Sequence, residues 1–336
     1  MDRPLVSIIM AVKDTASYLP ACLDSILQQT YGNWELIAIN DHSIDHSPEI
    51  LYEYAAKDDR IMVFHSIRPK LIPTLKEGYK YANGDLINRM DSDDKMPPDK
   101  LEALVLNWEQ HGEGHVIAGG TQHFTDHGDV GDGFRRYEKW LNEVAKTGTH
   151  YEQIYQECVI PSHSWIIHKN DFDRIGAFNP EVYPEDYDLC FRFYQHGLKV
   201  IGIDKVLHFW RDREDRISRT WDEYKDYRYF ELKVRYFYKI DRDRSRPLML
   251  WGAGKNGKDL AKLLLEEEES FHWVCDNERK IGKEIYQIVL KASEKIPEIK
   301  DPQILIAVSS PDEKEQILSQ LKSWKKAPAK DFWFFL

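Results

Sequence analysis

The chain has 336 residues, of which 42% are hydrophobic and 31% are charged, and 46 Lys and Arg against 57 Asp and Glu give it a formal net charge of −11. The length suits two domains with ordinary cores, so extensive disorder is excluded, and the acidic balance disfavours nucleic acid as a partner because its phosphates would be repelled. The longest apolar run, residues 5–12, is far shorter than a membrane-spanning helix, so an integral membrane protein is excluded as well.

The N-terminus and the cysteines indicate a cytoplasmic protein. The start Met-Asp-Arg-Pro lacks the basic region and the small-residue cleavage site of a secretory signal. The four cysteines form neither a Cys-x-x-Cys motif nor a Cys/His cluster, as expected of core thiols in a reducing compartment. Structural zinc is therefore not expected.

Strands and helices alternate over the first ninety residues. Hydrophobic periodicity predicts, in order, a strand, a helix, a strand, a helix, a strand, a helix and a strand over residues 5–12, 14–29, 34–40, 48–57, 61–65, 72–81 and 85–90. Such alternation predicts an α/β fold, a mostly parallel sheet with helices on its faces. In these sheets, ligands bind beyond the carboxyl ends of the strands.

The following segment is less regular. Pro97 and Pro98 open a further helix, because proline is tolerated in a first helical turn. A Gly- and Asp-rich loop, a helix and two strands are then predicted over residues 119–133, 134–157, 159–168 and 199–204.

A change in composition marks a domain boundary. An aromatic and basic helix over residues 221–239 leads into a charged stretch. We therefore predict a first domain over residues 1–220, a connecting helix and linker over 221–245, and a small domain over 246–336. The helix either packs between the domains or makes a peripheral membrane contact, and the oligomeric state is left open.

Two acidic motifs follow predicted strands. In the motif Arg89 to Asp94, Asp91 and Asp93 could converge on one hard divalent cation, since alternate residues of a strand share a face. Asp41, after the second strand, could accept hydrogen bonds from a ribose or a base. The structural alternatives are a helix-capping acidic turn for the first motif and an Asx turn for the second.

A third acidic motif precedes a predicted helix. Glu185 and Asp186 stand at the start of this helix, where carboxylates commonly stabilise the helix dipole. The functional interpretation of the pair is a general base.

Together and in this order, the motifs resemble those of the family 2 glycosyltransferases, which have the GT-A fold. The resemblance covers roughly residues 4–220. It implies a GT-A nucleotide-diphospho-sugar transferase fold for the first domain. The matching stretches are residues 6–12, 23–31, 40–45, 89–94, 98–101 and 184–192.

The resemblance also implies a donor site. Asp41 would bind the base of a nucleotide diphosphate sugar, which we expect to be UDP-linked, in a pocket lined by the backbone of Ala11, Val12 and Lys13. Lys13 departs from the Tyr-Asn that many members have here, and it could reach a phosphate.

In the motif Arg89 to Asp94, the resemblance implies that Asp91 contacts the ribose or metal-bound water. Asp93 would hold Mg²⁺ or Mn²⁺ on the diphosphate, and Arg89 belongs to the same donor site. Asp186 would be the base in a single displacement that inverts the anomeric carbon. The expected acceptor is a hydroxyl of a glycan or lipid-linked molecule in bacterial surface polysaccharide synthesis.

Several residues are candidates for contacts with the acceptor or the diphosphate. Glu185 adjoins the predicted base. Arg213 stands where many members have a metal-binding histidine, so Arg211 and Arg213 either close over the diphosphate or form a solvated basic loop. His163 is either an acceptor-site residue or a packed histidine at a strand start.

The small domain carries a dinucleotide-type pattern. Gly252, Gly254 and Gly257 lie between a predicted strand and a helix, and Asp276 ends the next strand. Glycines allow a tight turn and a close phosphate, and the acid suits ribose hydroxyls. Bound NAD(P) or nucleotide and a structural or assembly role are both open.

Two other functions remain as alternatives. A nucleotidyltransferase also combines a parallel sheet with metal-binding carboxylates, but it normally has a glycine-rich phosphate loop, which residues 11–14 lack. A non-catalytic module that senses a sugar nucleotide or NAD is the other alternative.

Overall fold

The computed structural model describes residues 3–126, 128–213 and 226–336. The chain divides into two compact units, the first formed by Met1–His150 with Val159–Thr220 and the second by Tyr151–Cys158 with Trp221–Leu336. This division differs from the predicted one, because residues 151–158 belong to the second unit. Within that unit the ring of Tyr155 stacks on Phe335, and its hydroxyl donates a 2.6 Å hydrogen bond to Asp241.

The first unit follows the predicted alternation of strands and helices. Its elements in chain order are β1 Val6–Val12, α1 Leu19–Leu27, β2 Trp34–Asn40, α2 Ser47–Ala55, β3 Ile61–His65, α3 Leu71–Tyr79, β4 Leu86–Arg89, α4 Lys100–His111, β5 His115–Phe124, α5 Asp132–Thr147, β6 Trp165–His168, α6 Lys169–Arg174, α7 Glu185–Gln195 and β7 Lys199–Arg211.

Within the described residues, seven strands form one mixed sheet in the order β3-β2-β1-β4-β6-β5-β7. The first four of these are parallel neighbours, whereas β6 runs antiparallel to both β4 and β5. β1 and β2 are almost wholly buried, as their continuous apolar runs require of strands covered on both faces. This mostly parallel sheet with flanking helices confirms the predicted fold class.

The predicted loop over residues 119–133 is wrong for its first part, because β5 continues to Phe124. The glycines in this part of the strand allow close packing against neighbouring side chains. A Cβ on Gly119 would lie 2.5 Å from the side chain of Leu207, and one on Gly120 would lie 2.8 Å from the side chain of Asn142. In a strand, glycine can mark such a close approach instead of a turn.

Three further boundaries differ from the sequence predictions, one of them in the strand predicted over residues 159–168, which begins only at Trp165. The helix predicted to reach residue 157 ends at Thr147, where Gly148 takes a left-handed conformation. β7 is longer than predicted and extends to Arg211, because its second half continues to pair with β5 after a register shift. The extension carries the last residues of β7 to the acidic motif after β4, where Lys95 and Phe209 exchange backbone hydrogen bonds.

The second unit contains a parallel sheet of five strands among residues 226–336, in the order β12-β9-β8-β13-β14. The flanking helices and the glycine loop after its first strand give it a Rossmann-like arrangement. Its elements are α8 Asp226–Ile240, β8 Leu248–Trp251, α9 Lys255–Glu266, β9 Phe271–Cys275, β10 Glu284–Ile285, β11 Ile288–Val289, β12 Lys291–Ala292, a 3-10 helix Ser293–Glu298, β13 Gln303–Ile306, α10 Pro311–Ser323 and β14 Phe332–Phe334.

Helix α8 packs inside the second unit along much of its length. The ring of Phe237 meets the rings of Trp333 and Phe335 edge-on, and Lys233 is buried with its amino group donating to the carbonyls of Gln156 and Phe335. The first residues of the predicted helix, 221–225, lie outside the described residues. In the described part of the chain, no helix combines the length and apolar character needed to cross a membrane.

Candidate functional site

The carboxyl ends of β1, β2 and β4 lie at one edge of the first unit's sheet, since these strands are parallel neighbours. Asp41 follows β2 directly, and Asp91 lies just beyond the end of β4. The fold therefore brings two of the predicted motifs to the edge at which ligands of parallel sheets bind.

Asp41 is buried at this edge. Its backbone N–H donates to the carbonyl of Val12 at 2.8 Å, and its Oδ2 accepts the N–H of Lys70 at 3.2 Å. Its Oδ1 is buried and has no hydrogen-bond partner among the described residues. A buried acceptor without a donor is costly, so this oxygen is suited to an N–H of a ligand.

The loops after β1 and β2 are tied to one another. Lys13 donates from Nζ to the carbonyl of His42 at 2.7 Å, and the side chain of Asp14 accepts the N–H of Ile44 at 2.7 Å. Lys13 therefore fixes the neighbouring loop, and Ala11 and Val12 stand at the end of β1 where the loop begins.

Arg89 joins two of the predicted motifs. Its side chain is only 6% exposed, and it donates from Nη2 to Oδ1 of Asp91 at 3.0 Å and from Nη1 to Oε1 of Glu185 at 2.9 Å. The bridge brings the acidic motif after β4 next to the first turn of α7. Asp186 follows Glu185 in that turn and is half-buried, with its Oδ1 accepting the N–H of Tyr187 at 2.8 Å.

Two arginines from the end of β7 hold Asp93. Arg213 donates from Nε to its Oδ2 at 2.8 Å, and Arg211 donates from Nε to its backbone carbonyl at 2.6 Å. Arg211 also pairs with Asp126. Both guanidinium groups lie over the ring of Tyr18, at 4.7 and 5.4 Å from its centroid. The two candidate arginines thus contact the acidic motif directly.

Asp94 is the centre of a buried hydrogen-bond network. His208 donates from Nε2 to its Oδ2 at 2.9 Å, and the backbone N–H of Arg211 donates to its Oδ1 at 2.7 Å. Lys100 is fully buried and donates from Nζ to Nδ1 of His208 at 3.2 Å. Burial lowers the pKa of Lys100 to about 7, although Asp94 acts to raise it. The network attaches β7 to the acidic motif.

His163 is fully buried beside this network. Its ring stacks on that of His208, and its Nδ1 lies 3.5 Å from a carboxylate oxygen of Asp91 and 3.6 Å from one of Asp94. Neither ring nitrogen has a hydrogen-bond partner among the described residues. Burial lowers its pKa to about 4, so the ring is neutral at pH 7. This environment is that of a packed histidine.

Asp94, His163 and His208 have potential ligand atoms within 4.8 Å of one another, as in a metal site. Two features oppose a metal at this trio. The imidazoles are stacked with centroids 3.5 Å apart and planes inclined by 18°, so one cation cannot lie in both ring planes at bonding distance. Both nitrogens of His208 are also hydrogen-bonded, to Asp94 and Lys100.

Asp91 and Asp93 offer carboxylate oxygens, which are the ligands that Mg²⁺ and Mn²⁺ prefer. Oδ1 of Asp93 forms no hydrogen bond with any part of the chain that the structure describes, whereas its Oδ2 is paired with Arg213. These residues could therefore hold the cation once the pair between Asp93 and Arg213 opens.

Sequence reasoning missed the roles of Lys100, Asp94 and His208. Lys100 and Asp94 lie in stretches that carried the resemblance, but their burial gives no signal in the sequence. His208 had no signal at all, because its contact with Asp94 depends on the extension of β7.

In the second unit, the glycine loop forms as predicted. A Cβ on Gly252 would lie 2.7 Å from the carbonyl oxygen of Ala307, and one on Gly257 would lie 2.2 Å from that of Gly252. A Cβ on Gly254 would meet nothing within 4 Å. Close packing within the unit therefore explains the first and last of the three glycines without a bound ligand, and Gly252 also has a φ of +119°.

Asp276 is already engaged within the second unit. Its Oδ2 accepts the indole N–H of Trp251 at 2.8 Å, and its Oδ1 accepts the hydroxyl of Ser293. Lys280 donates to the carbonyl of Ala253 in the glycine loop at 2.7 Å. Both oxygens of Asp276 therefore already hold side chains of the second unit, so its engagement is explained without a ribose.

Solved structures share the fold of this chain. Residues 1–349 of S. aureus TarS, in complex with UDP-GlcNAc, match with a TM-score of 0.55 and 16% identity over 77% of this chain and 71% of that one. The mannosyltransferase PcManGT from Pyrobaculum calidifontis, in complex with GDP-Man and Mn²⁺, matches with a TM-score of 0.52 and 16% identity over 71% of this chain and 64% of that one. The likeness confirms the predicted GT-A fold.

Sequence relatives are named for glycosyltransferase activity. EpsH of Bacillus subtilis is 32% identical over 48% of this chain and 50% of its own length, and EpsE of the same organism is 30% identical over 64% and 76%. GlyA of Streptococcus pneumoniae is 28% identical over 65% of this chain and 32% of its own length. The chain thus spans about half of EpsH and a third of GlyA.

The family assignment comes from the region that contains the first two acidic motifs. The model of "Glycosyl transferase family 2" matches residues 7–176, just over half of the chain. The match includes Asp41, Arg89, Asp91 and Asp93. This chain therefore belongs to glycosyl transferase family 2.

Proposed function

We propose that the chain is an inverting glycosyltransferase, which moves a sugar from a nucleotide diphosphate sugar to a hydroxyl group. The observation that carries this proposal is the Arg89 bridge, which holds the first turn of α7 against Asp91 at the ligand-binding edge of the sheet. A base for the acceptor and carboxylates for the donor must lie in one site, and the bridge supports this arrangement.

The donor base is assigned to the pocket of Asp41. Its partnerless Oδ1 can accept an N–H of the base, and the backbone of Ala11, Val12 and Lys13 lines the neighbouring loop. We favour a UDP-linked donor, because uracil offers one imide N–H to such an acceptor. TarS was solved with UDP-GlcNAc, whereas PcManGT was solved with GDP-Man.

The donor diphosphate is assigned to Asp93, Asp91 and the nearby arginines. A divalent cation held by these carboxylates would stabilise the negative charge of the leaving diphosphate. PcManGT was solved with Mn²⁺. We expect EDTA to abolish transfer and added Mn²⁺ or Mg²⁺ to restore it. Full transfer in EDTA would contradict the assignment of a metal to Asp93.

Asp186 is assigned as the base. Its carboxylate takes the proton of the acceptor hydroxyl as that oxygen attacks the anomeric carbon from the side opposite the diphosphate, so the configuration inverts. Glu185 is paired with Arg89, and the proton transfer is assigned to Asp186, the next carboxylate in the same turn. General-base catalysis contributes about 10² to 10⁴-fold.

For the acceptor and the biosynthetic pathway, we propose only a general class. The bacterial relatives EpsH, EpsE and GlyA are named for glycosyltransferase activity, and we place the reaction in the synthesis of a bacterial surface polysaccharide. A glycan or lipid-linked hydroxyl on the cytoplasmic face of the membrane is the acceptor that suits this setting.

Asp186→Asn tests the proposal. We expect transfer to fall by about 10² to 10⁴-fold, because the amide cannot take the proton, while binding of UDP stays unchanged. Glu181→Gln is the matched control, since Glu181 is an exposed carboxylate near α7 that pairs with Arg68. Transfer and calorimetric UDP binding would be compared. Unchanged transfer in the Asn variant would remove the base assignment.

A further inference from the structure

The inference concerns Arg213 and rests on the proposed function. Arg213 donates from Nε to Oδ2 of Asp93 at 2.8 Å, and both side chains are only 16% exposed. The neighbouring Arg211 is fixed by its bonds to Asp93 and Asp94. Arg213 thus follows a strand end that is held in place, and its side chain contacts Asp93, the carboxylate proposed to bind the cation of the diphosphate.

The contact has an electrostatic consequence. A guanidinium and a divalent cation are both positive, so a cation that approaches Asp93 is repelled by Arg213 and competes with it for Oδ2. The pair is mostly sheltered from water, which makes the competition stronger than at an exposed ion pair. A diphosphate offers the guanidinium another partner, since arginine binds phosphate oxygens in the same forked geometry as carboxylates.

We propose that Arg213 is an internal counter-ion that exchanges partners when the donor binds. Without donor it neutralises Asp93 and weakens the binding of free metal. When a nucleoside diphosphate enters, Arg213 moves from the carboxylate to the phosphate oxygens, and Asp93 becomes available to the cation. Metal and nucleotide therefore bind cooperatively, and each strengthens the binding of the other by the same factor.

The experiment measures Mn²⁺ binding to the full chain, with free Mn²⁺ followed by electron paramagnetic resonance, in the presence and absence of UDP. Without UDP, we expect Arg213→Gln to bind Mn²⁺ about tenfold more tightly than the wild type, as expected for the loss of one charge-assisted hydrogen bond. With UDP, the wild type should gain more Mn²⁺ affinity than the variant. Arg135→Gln removes the same charge at an exposed ion pair and should behave as the wild type.

Asp93→Asn shows whether the effect passes through this carboxylate. We expect the gain of Arg213→Gln to disappear in the double variant Asp93→Asn/Arg213→Gln, with thermal melting as the check on folding. The proposal is overturned if Arg213→Gln and the wild type bind Mn²⁺ equally or not at all, or if the gain persists without Asp93. The measurement needs no sugar transfer, so the exchange could hold even if the transferase assignment failed.

Discussion

Arg89 shows how one buried cation can organise a site. Its guanidinium is almost inaccessible to solvent and bonds to carboxylates of Asp91 and Glu185. A buried charge is tolerated when it is paired, and the removal of one partner is strongly destabilising. The residue is therefore needed both for folding and for the relative position of the two acidic motifs.

His163 makes stability depend on pH. Burial lowers its folded-state pKa to about 4, below the ordinary value of 6.5, so between these values the unfolded chain binds a proton that the folded chain does not. The contribution of this neutral ring to the unfolding free energy is therefore fully present above pH 6.5 and is lost as the pH falls toward 4. Between pH 7 and pH 5 we expect the wild type to lose about 2 kcal/mol more unfolding free energy than His163→Gln. Urea denaturation at both pH values would measure it, and equal losses would contradict a buried neutral ring.

At the scale of single residues, the sequence predicted positions better than environments. Asp41 and Asp91 could be placed at a sheet edge because they follow strands whose apolar runs are unmistakable. The burial of His163 and Lys100 could not be predicted, because it arises from contacts among the start of α4, the loop before β6, and β7, which are distant in sequence.

At the scale of elements, the packing of α5 on β7 depends on one glycine. A Cβ on Gly202 would lie 1.8 Å from the carbonyl oxygen of Ala145, and a backbone atom cannot rotate away. We expect Gly202→Ala to lower the unfolding free energy by about 1–3 kcal/mol or more.

Gly133 in α5 provides the control for this substitution. A Cβ there meets nothing within 4 Å, so Gly133→Ala should leave stability unchanged or raise it by up to about 1 kcal/mol, because alanine is the better helix former. Chemical denaturation of both variants gives the comparison. Equal changes in unfolding free energy at the two glycines would show that the close contact between Gly202 and Ala145 does not determine stability.

The strands of the first unit were predicted well where their pattern is local, and β7 shows where this fails. Asp204 and Lys205 interrupt its apolar pattern, so the pattern predicts that the strand ends there. Pairing with β5 continues it to Arg211. The Gly-rich part of β5 has the composition of a loop, but its glycines make room for the side chains of Leu207 and Asn142, which are distant in sequence.

At the scale of the whole molecule, the second unit is assembled from two separate parts of the chain. Ile154 and Tyr155 are almost completely buried, and the segment that carries them belongs to this unit. A chain shortened to residues 1–220 would expose both. We expect this shortened chain to give less soluble protein than the full chain.

Substitution of Ile154 and Tyr155 by serine should have opposite effects in the shortened chain and in the full chain. In the shortened chain, the change should raise the soluble yield, because it removes exposed apolar surface. In the full chain, the same change should lower the melting temperature, because it empties packed volume. An identical direction of change in both would show that residues 151–158 are not part of the second unit's core.

The stacking of Tyr155 on Phe335 also orders events during synthesis. Phe335 follows Tyr155 by 180 residues, so Tyr155 leaves the ribosome well before its aromatic partner is translated. The strands of the first unit can pair before then, since all their residues precede position 212. Segment 151–158 therefore lacks this aromatic contact in the nascent chain until the last strand of the second unit emerges.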